Sequence, residues 1–310
     1  MEIKRKITVV LPVYNEGKAI FNNVLEIKKV LGEANIQHEF VMVDDGSSDD
    51  TWLEIKKLQE FVSVKALRLS RNFGKESAIM AGIEIVDTKA CVVMDADLQH
   101  PVKKVIEMYE LWENEGFEII DGVKKQRGKE SFLNKICALS FYKAFSSITR
   151  FDIDKASDFK FLDKKVVDSL KELSEKETFF RGLATWVGFK RERVEFDVEK
   201  RKQGASNWSF RKLFKLALGA ITSFTSLPLH AVTFIGVGFL LGSIILGIQT
   251  IYMKIAGLAV SGFTTVILLL LIIGSLIMIS LGIIGIYIEK IYNEIKGRPR
   301  YIVSEKVESE

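Results

Sequence analysis

The chain has 310 residues, 48% apolar and 27% charged, so it is long enough for one large domain or two ordinary ones with a packed core. Its net charge of +4 is too small to indicate nucleic-acid binding. Its two cysteines, Cys91 and Cys137, lie in apolar runs and predict neither a disulfide framework nor a cysteine-ligated metal site.

Short apolar runs alternate with amphipathic stretches through the N-terminal part of the chain. We predict strands at 7–13, 39–44, 64–70, 90–95 and 117–123, and helices at 17–31, 50–61, 74–86 and 102–115. This alternation is typical of an α/β domain with a mostly parallel sheet. Ligands of such sheets bind at the carboxyl ends of the strands.

The first apolar run, "ITVVL", follows a basic start but is too short for a signal peptide. Pro12, Asn15 and Glu16 follow it almost directly. We therefore expect a first core strand and an N-terminal part that stays in the cytosol.

Polar groups follow four of the predicted strands, in "PVYNEG", "DDGSSDD", "RNFGKE" and "DADLQH". Capping of the next helix explains Ser and Asp at such places. It does not explain four aspartates together at one rim, by which we mean the edge of the sheet formed by the carboxyl ends of its strands. These are Asp44, Asp45, Asp95 and Asp97. Four carboxylates repel each other unless a cation or hydrogen-bond donors offset their charge. Hard oxygen ligands suit Mg²⁺ or Mn²⁺, often together with substrate phosphates.

Two apolar segments, 230–253 and 263–288, are long enough to cross a hydrocarbon layer of roughly 30 Å. Two buried helices of a soluble core are the alternative, but core helices are rarely apolar all round for this length. A short connection that contains Lys254 predicts a helical hairpin. Because the basic residues cluster outside the hairpin, we expect both chain ends in the cytoplasm. The flanking basic residues are Arg211, Lys212, Lys215, Lys290, Lys296, Arg298 and Arg300.

These features divide the chain into four expected parts. A catalytic domain would span 1–208, and a two-helix membrane part would span 230–289. Residues 209–229 predict an amphipathic helix on the inner membrane face, with an ordinary surface helix as the alternative. The acidic end of the basic tail, 290–310, is expected to be disordered.

Several segments resemble the inverting nucleotide-sugar glycosyltransferases of family 2, which have the GT-A fold. They are "VVLPVYNEG", "VMVDDGSSDDT", "LSRNFGKESAIMAG" and "VVMDADLQHP". "SDFKFLDKKVVDSL", "RKQGASNWSFRKLFKLALGAITSF" and the apolar hairpin are similar to the polyprenyl-phosphate branch, which includes bactoprenol-phosphate glucosyltransferases and dolichol-phosphate mannose synthase. The resemblance covers nearly the whole chain.

The resemblance implies a role for each matching residue. Asp158 and Asp97 would be catalytic, and Asp95 and Asp97 would bind Mg²⁺ or Mn²⁺. Arg127, Arg201 and Ser206 would meet the acceptor phosphate. The nucleotide-sugar would be bound by Pro12, Tyr14, Asn15, Glu16, Asp44, Asp45, Lys75, Asp95 and Gln99.

Some of these roles have alternatives that the sequence leaves open. Asp158 either acts as a base or orients the acceptor. Lys75, with its neighbours Arg71 and Asn72, either binds the donor or shapes a turn into a helix. His100 is either a metal ligand or a helix-start residue, and the second is favoured.

Two positions depart from the family pattern. Ser157 stands where the family usually has Gly before the acidic residue. Asn207 stands where it usually has Lys, which removes a cation from a loop that would meet phosphate.

The expected function is transfer of a sugar from a nucleotide-sugar to polyprenyl phosphate at the cytoplasmic face of a bacterial inner membrane. Glucose and UDP are favoured because they are common in the bacterial branch, and a homo-oligomer, such as a tetramer, is expected for the same reason. A processive polysaccharide synthase is disfavoured because the Gln-x-x-Arg-Trp motif is missing. A non-catalytic membrane scaffold or flippase subunit would not need this set of carboxylates.

Overall fold

The structure is a computed structural model that describes residues 5–125, 156–175, 179–197, 227–257 and 262–309. The chain forms two compact units. One unit comprises residues 1–210 together with 299–310, and the other comprises residues 211–298.

The first unit is built on one eight-stranded sheet with the order β7-β5-β6-β4-β1-β2-β3-β8. Strands β1 to β4 are parallel to one another, while β6 pairs antiparallel with β4 and β8 pairs antiparallel with β3. The predicted mostly parallel α/β sheet is confirmed. The strands are β1 (Ile7–Val13), β2 (His38–Asp44), β3 (Val64–Leu69), β4 (Ala90–Val93), β5 (Ile119–Lys124), β6 (Ala156–Asp163), β7 (Arg191–Phe196) and β8 (Val303–Glu308).

Helices pack against this sheet through buried apolar residues. In the first helix, Ile20, Val24, Ile27 and Leu31 recur at helical spacing and are fully buried. The helices of this unit are α1 (Ala19–Glu33), α2 (Thr51–Leu58), α3 (Lys75–Glu84), α4 (Val102–Glu115), α5 (Lys164–Glu172) and α6 (Phe180–Trp186).

The core lies where β1 and β4 are covered on both faces. Val9, Val10 and Val92 are fully buried, and each contributes about 1.5–3 kcal/mol through removal of its side chain from water. Helix α3 approaches β1 closely at Gly82, where a Cβ would lie 2.5 Å from Val10 Cγ1. This approach aligns the start of α3 with the carboxyl ends of the parallel strands.

The antiparallel side of the sheet is held by a buried ionic network. Lys160 is fully buried and bonds Asp121, which also accepts a hydrogen bond from Arg191 Nη2. Burial alone would raise the pKa of Asp121, but the two cations hold that pKa below its usual value. The network joins β5, β6 and β7, of which only β5 lies within the five predicted strands.

The prediction that the C-terminal tail is disordered is wrong for residues 303–308. Val303–Glu308 forms β8, which pairs antiparallel with β3. Val307 packs against the core, and the backbone N–H of Ser309 donates a hydrogen bond to Val64 O at 3.0 Å. The acidic composition suggested a solvated tail, but the open edge of β3 supplies backbone partners that outweigh it.

The second unit contains two long apolar helices, α7 (Leu227–Ile255) and α8 (Phe263–Ile295). By length and composition alone, 228–255 and 269–295 could each cross a membrane, with mean hydropathies of 2.3 and 2.8. The two predicted spans fall on these helices. Most of the expected amphipathic segment, 209–226, lies outside the described residues.

Candidate active site

The loops that follow β1 and β2 are bound to each other by side-chain hydrogen bonds. Asn15 has a positive φ of 53°. Its backbone N–H donates to Ser47 Oγ at 2.9 Å, and its Oδ1 accepts from Ser48 N at 2.9 Å. The backbone amides of Glu16 and Gly17 donate to Thr51 Oγ1 at 3.0 and 2.8 Å. The motif residues therefore form one rigid rim at the carboxyl ends of the strands.

Asp44 and Asp45 are both buried, at 0% and 3% exposure, and each carboxylate holds a loop in place. Asp44 Oδ1 accepts from Ser47 N at 2.9 Å. Asp45 accepts from the backbone amides of Phe73 and Gly74 at 2.7 and 2.9 Å. Burial raises the pKa of both carboxyls, and these donors oppose the shift.

Position 46, between Asp45 and Ser47, requires glycine for two geometric reasons. Its φ is +69°, and a Cβ there would lie 2.5 Å from the backbone carbonyl carbon of Arg71. Any side chain at this position would push the 45–48 loop away from the loop that follows β3.

Asp95 and Asp97 lie after β4, in the turn that the alternation predicted. Asp97 accepts from Gln99 at both oxygens, from the backbone N–H at 3.1 Å and from Nε2 at 2.7 Å. Leu98, between them, has a positive φ of 58°, which turns the chain sharply. Gln99 thus orients the Asp97 carboxylate.

His100 is a structural residue in this arrangement. Its Nδ1 accepts from the backbone N–H of Asp95 at 3.0 Å, and its ring stacks on Phe159 with centroids 4.8 Å apart. Burial lowers the pKa of His100, so the ring is held neutral, as an acceptor at Nδ1 requires. The helix-start interpretation fits this position, and the contacts support a structural role over metal ligation.

Asp158 lies at the centre of a charged cluster that spans three elements. Its Oδ2 is 2.8 Å from Lys75 Nζ, and the same ammonium lies 2.5 Å from Asp95 Oδ1. Arg181, from α6, donates to Asp158 from Nε at 2.6 Å and from Nη2 at 3.0 Å. A lysine and an arginine therefore both pair with Asp158, one of the two residues to which the resemblance gives a catalytic role.

The charged groups of this cluster shift one another's pKa values. Burial alone would raise the pKa of Asp158, but Arg181 and Lys75 hold that pKa far below its usual range. The pKa of Lys75 is lowered by burial and raised by Asp158 and Asp95, and the increase prevails. Asp158 is thus a permanent anion between two cations.

Sequence reasoning missed two members of the cluster, Arg181 and Glu76. Glu76 accepts from the backbone N–H of Phe180 at 2.7 Å, which fixes the start of α6 beside α3. Burial, and then the charge of Asp158, raise the pKa of Glu76 to about 7. Two features of the sequence could have indicated them. Glu76 is a charged residue directly after Lys75 in "GKES", and Arg181 is the lone basic residue in "FFRGLATW".

Ser157 holds Asp158 in place. Its Oγ donates to Gly122 O at 2.6 Å and accepts from Phe159 N at 3.2 Å, where the register of β5 and β6 shifts. The departure from the family's Gly therefore adds two hydrogen bonds beneath the cluster.

The structure brings Lys75, Asp95 and Asp158 into direct contact. Pro12 is half-buried at the end of β1, and Tyr14 is 47% exposed at the rim. Arg127, Arg201 and Ser206, the three predicted acceptor residues, lie outside the described residues, as does Asn207.

The residues of the rim fit a divalent cation that a substrate helps to bind. Among the described residues, no group of three or more His, Cys, Asp or Glu side chains could hold a metal by itself. Mg²⁺ is usually held by one or two carboxylates, with substrate phosphates and water completing its shell. Asp95 and Asp97 supply such oxygens, and Asp95 already faces a cationic group, the Lys75 ammonium.

The sequence profile of glycosyl transferase family 2 matches residues 8–169 of this chain, which include all but the first residue of β1, all of β2 to β6, and the rim. This chain belongs to glycosyltransferase family 2. As a glycosyltransferase of that family, it carries the GT-A fold, with two further helices apolar enough to span a membrane.

Curated relatives extend the likeness over nearly the whole chain. The uncharacterized glycosyltransferase YkcC of Bacillus subtilis is 37% identical over 96% of this chain and 92% of its own. The prophage-derived bactoprenol glucosyl transferase of Shigella flexneri is 34% identical over 96% of this chain and 97% of its own. The prophage bactoprenol glucosyl transferase homolog of Escherichia coli is 34% identical over 96% and 98%.

Proposed function

We propose that this family 2 glycosyltransferase is a hexosyltransferase that moves glucose from UDP-glucose to polyprenyl phosphate, with inversion, at the cytoplasmic face of a bacterial inner membrane. The names of the relatives from Shigella flexneri and Escherichia coli support the bactoprenol acceptor. The two apolar helices support a lipid substrate.

The observation that carries this proposal is the saturation of Asp158 by Arg181 and Lys75. A sugar acceptor with a neutral hydroxyl requires a general base whose pKa lies near the working pH. Asp158 is unsuited to that task, because its pKa is held far below the usual range of an aspartate. A phosphate monoester, whose second pKa is about 6, is already largely ionised at pH 7 and needs no base.

The reaction then requires positioning and charge compensation. A phosphate oxygen of the acceptor attacks the anomeric carbon, and the bond from that carbon to the diphosphate oxygen breaks. UDP leaves with the electron pair, and no proton has to move. Lys75 offsets negative charge between Asp95 and Asp158, and Asp158 holds Arg181 in a fixed orientation at the rim.

Mg²⁺ or Mn²⁺, held by Asp95 and Asp97, would supply Lewis-acid neutralisation of the diphosphate. The loops of Asn15, Ser47 and Ser48 would hold the base and ribose of the donor. Arg127, Arg201 and Ser206 keep their predicted role toward the acceptor phosphate.

The connectivity of the chain supports a topology in which both chain ends lie on the same side of the membrane. Strand β8 follows α8 in sequence, yet it belongs to the same sheet as β1. Two crossings return a chain to the side where it began, which we propose is the cytoplasm. An impermeant maleimide applied to intact cells should label Ala256→Cys and not Lys306→Cys. The reverse labelling would refute this topology.

The predicted homo-oligomer stays a prediction.

The deciding experiment uses the full chain purified in detergent, a short-chain polyprenyl phosphate, Mg²⁺ or Mn²⁺ and a panel of radiolabelled nucleotide sugars. Label should enter the organic phase from UDP-glucose, and Asp97→Asn should reduce transfer at least about a hundredfold. Asp87→Asn, on an exposed turn, is the matched control.

Each failure of this experiment has a definite meaning. Transfer from another donor would correct the sugar alone. Nucleotide binding without any glycolipid product would refute the lipid acceptor and favour a polysaccharide synthase. A wild-type chain that binds no nucleotide sugar would favour a scaffold.

A further inference from the structure

Arg68, on β3, connects the loop after β2 to the C-terminal strand. Its Nε lies 3.3 Å from Asp44 Oδ2, and its Nη2 donates to Ser47 O at 3.2 Å. Its Nη1 donates to Glu305 Oε1 on β8 at 3.4 Å. One guanidinium therefore touches both ends of the turn 44–47 and the last strand of the chain.

Glu305 fixes the position of this guanidinium. Its other oxygen, Oε2, accepts from Trp52 Nε1 at 2.8 Å, and Arg68 lies over the Trp52 ring with its Cζ 5.9 Å from the centroid. The three side chains form a closed set, because each contacts the other two. A guanidinium with its fork occupied on two sides has little freedom to rotate.

Asp44 depends on this arrangement. The residue is completely buried, and within the described part of the chain its Oδ2 has no hydrogen-bond partner of good geometry. Arg68 Nε, at 3.3 Å, is the charge that faces it. A buried carboxylate is costly unless a cation or donor compensates it. Movement of Arg68 would therefore displace Asp44, and with it the Ser47 amide that Asp44 holds.

Strand β8 contributes little to the core by comparison. Ser304, Glu305, Lys306 and Glu308 are exposed, and Val303 and Val307 are only half-buried. The strand is nevertheless pinned to β3 by the Ser70 N–H bond to Ile302 O at 2.8 Å and by the Ser304 hydroxyl bond to Arg68 O at 3.1 Å. Its most specific contacts are those toward Arg68 and Trp52.

We propose that the strand after the apolar helices is a working part of the donor site, in which Glu305 is a positioning residue for nucleoside diphosphate binding. Glu305 holds Arg68, Arg68 holds Asp44 and the Ser47 carbonyl, and the 44–48 loop is thereby held in its binding shape. The proposal rests on the proposed function in one respect, namely that this loop binds the donor nucleotide.

The test measures UDP binding by calorimetry with the full chain in detergent and Mn²⁺. Because Glu305 is exposed, Glu305→Ala should raise the UDP dissociation constant by about threefold. Arg68→Lys, which also removes the planar fork beside the buried Asp44, should raise it by about tenfold. Lys306→Ala is the matched control, because Lys306 is exposed on the neighbouring position of β8. The KM for polyprenyl phosphate should stay within about twofold in all three variants.

A second readout separates positioning from general destabilisation. Amide hydrogen exchange without nucleotide should rise at Ser47 and Ser48 in Glu305→Ala, and stay unchanged at the buried amides of β1. A UDP affinity equal to that of Lys306→Ala would overturn the proposal. If the wild-type chain binds no nucleotide, the proposed function fails, whereas exchange at Ser47 and Ser48 still decides whether Glu305 fixes the loop.

Discussion

Arg181 donates two hydrogen bonds to Asp158, from Nε to Oδ1 at 2.6 Å and from Nη2 to Oδ2 at 3.0 Å. This bidentate pair joins α6 to β6 at the point where β6 faces the rim. Bidentate pairs fix geometry as well as charge, because both oxygens of the carboxylate are engaged in one plane.

Replacement of Arg181 should lower catalysis more than stability. We expect Arg181→Lys to lower kcat by roughly tenfold and Arg181→Ala by roughly a hundredfold, because neither keeps the two-point contact with Asp158. Steady-state rates with both substrates saturating provide the measurement. Arg193→Lys, on the exposed part of β7, is the control. Equal rates for Arg181→Lys and the control would contradict the role of the pair.

Glu76 should make stability depend on pH. Its folded pKa of about 7 is above the ordinary 4.5, so the folded state binds the extra proton between these values. Stability therefore falls as pH rises from about 4.5 to about 7, and levels off above that. We expect Glu76→Gln to be more stable than the wild type above pH 7, by up to about 3 kcal/mol, and similar to it near pH 5.

Thermal unfolding of both proteins across this pH range provides the test. Glu60→Gln, on an exposed turn, should follow the wild type at every pH. Parallel curves for Glu76→Gln and the wild type would show that Glu76 does not titrate in this window.

The buried network of Lys160 should be essential to stability. Lys160→Met leaves Asp121 buried with Arg191 alone, and loss of one partner of a buried pair costs about 3–5 kcal/mol. Lys164→Met, which breaks only exposed ion pairs, should cost less than about 1 kcal/mol. Denaturant unfolding of the two variants compares them directly. A similar cost for both would mean that the network is not required.

The Ser157 hydroxyl should stabilise the region around Asp158. Ser157→Ala removes both buried hydrogen bonds and should destabilise the protein by about 1–3 kcal/mol. Ser157→Gly, which restores the family's usual residue, should cost somewhat more because glycine also loses more backbone entropy on folding. Unfolding curves of the three proteins test this order. A Gly variant as stable as the wild type would show that the hydroxyl is dispensable.

The interpretation of the first half of the chain depended on local patterns, which explains its success. The spacing of apolar residues along the chain predicts the strands β1 to β5 and the helices between them. Asp95 and Asp97 follow β4 directly in the chain, so their place at the rim followed from the strand alone. The same holds for α7 and α8, since length and uniform apolarity are properties of one segment.

The partners of those residues came only from tertiary packing. Arg181 reaches Asp158 because α6 packs against β6, and Glu305 reaches Arg68 because β8 completes the edge beside β3. Neither contact has a local signature, since the paired residues are 23 and 237 positions apart. The sequence by itself determined the strands β1 to β5, the acidic rim and the apolar helices, because these depend on the side chains of one segment. Only the tertiary structure decided that Asp158 lies between two cations and that the last strand contacts Arg68 beside the 44–48 loop, because both depend on where distant segments meet.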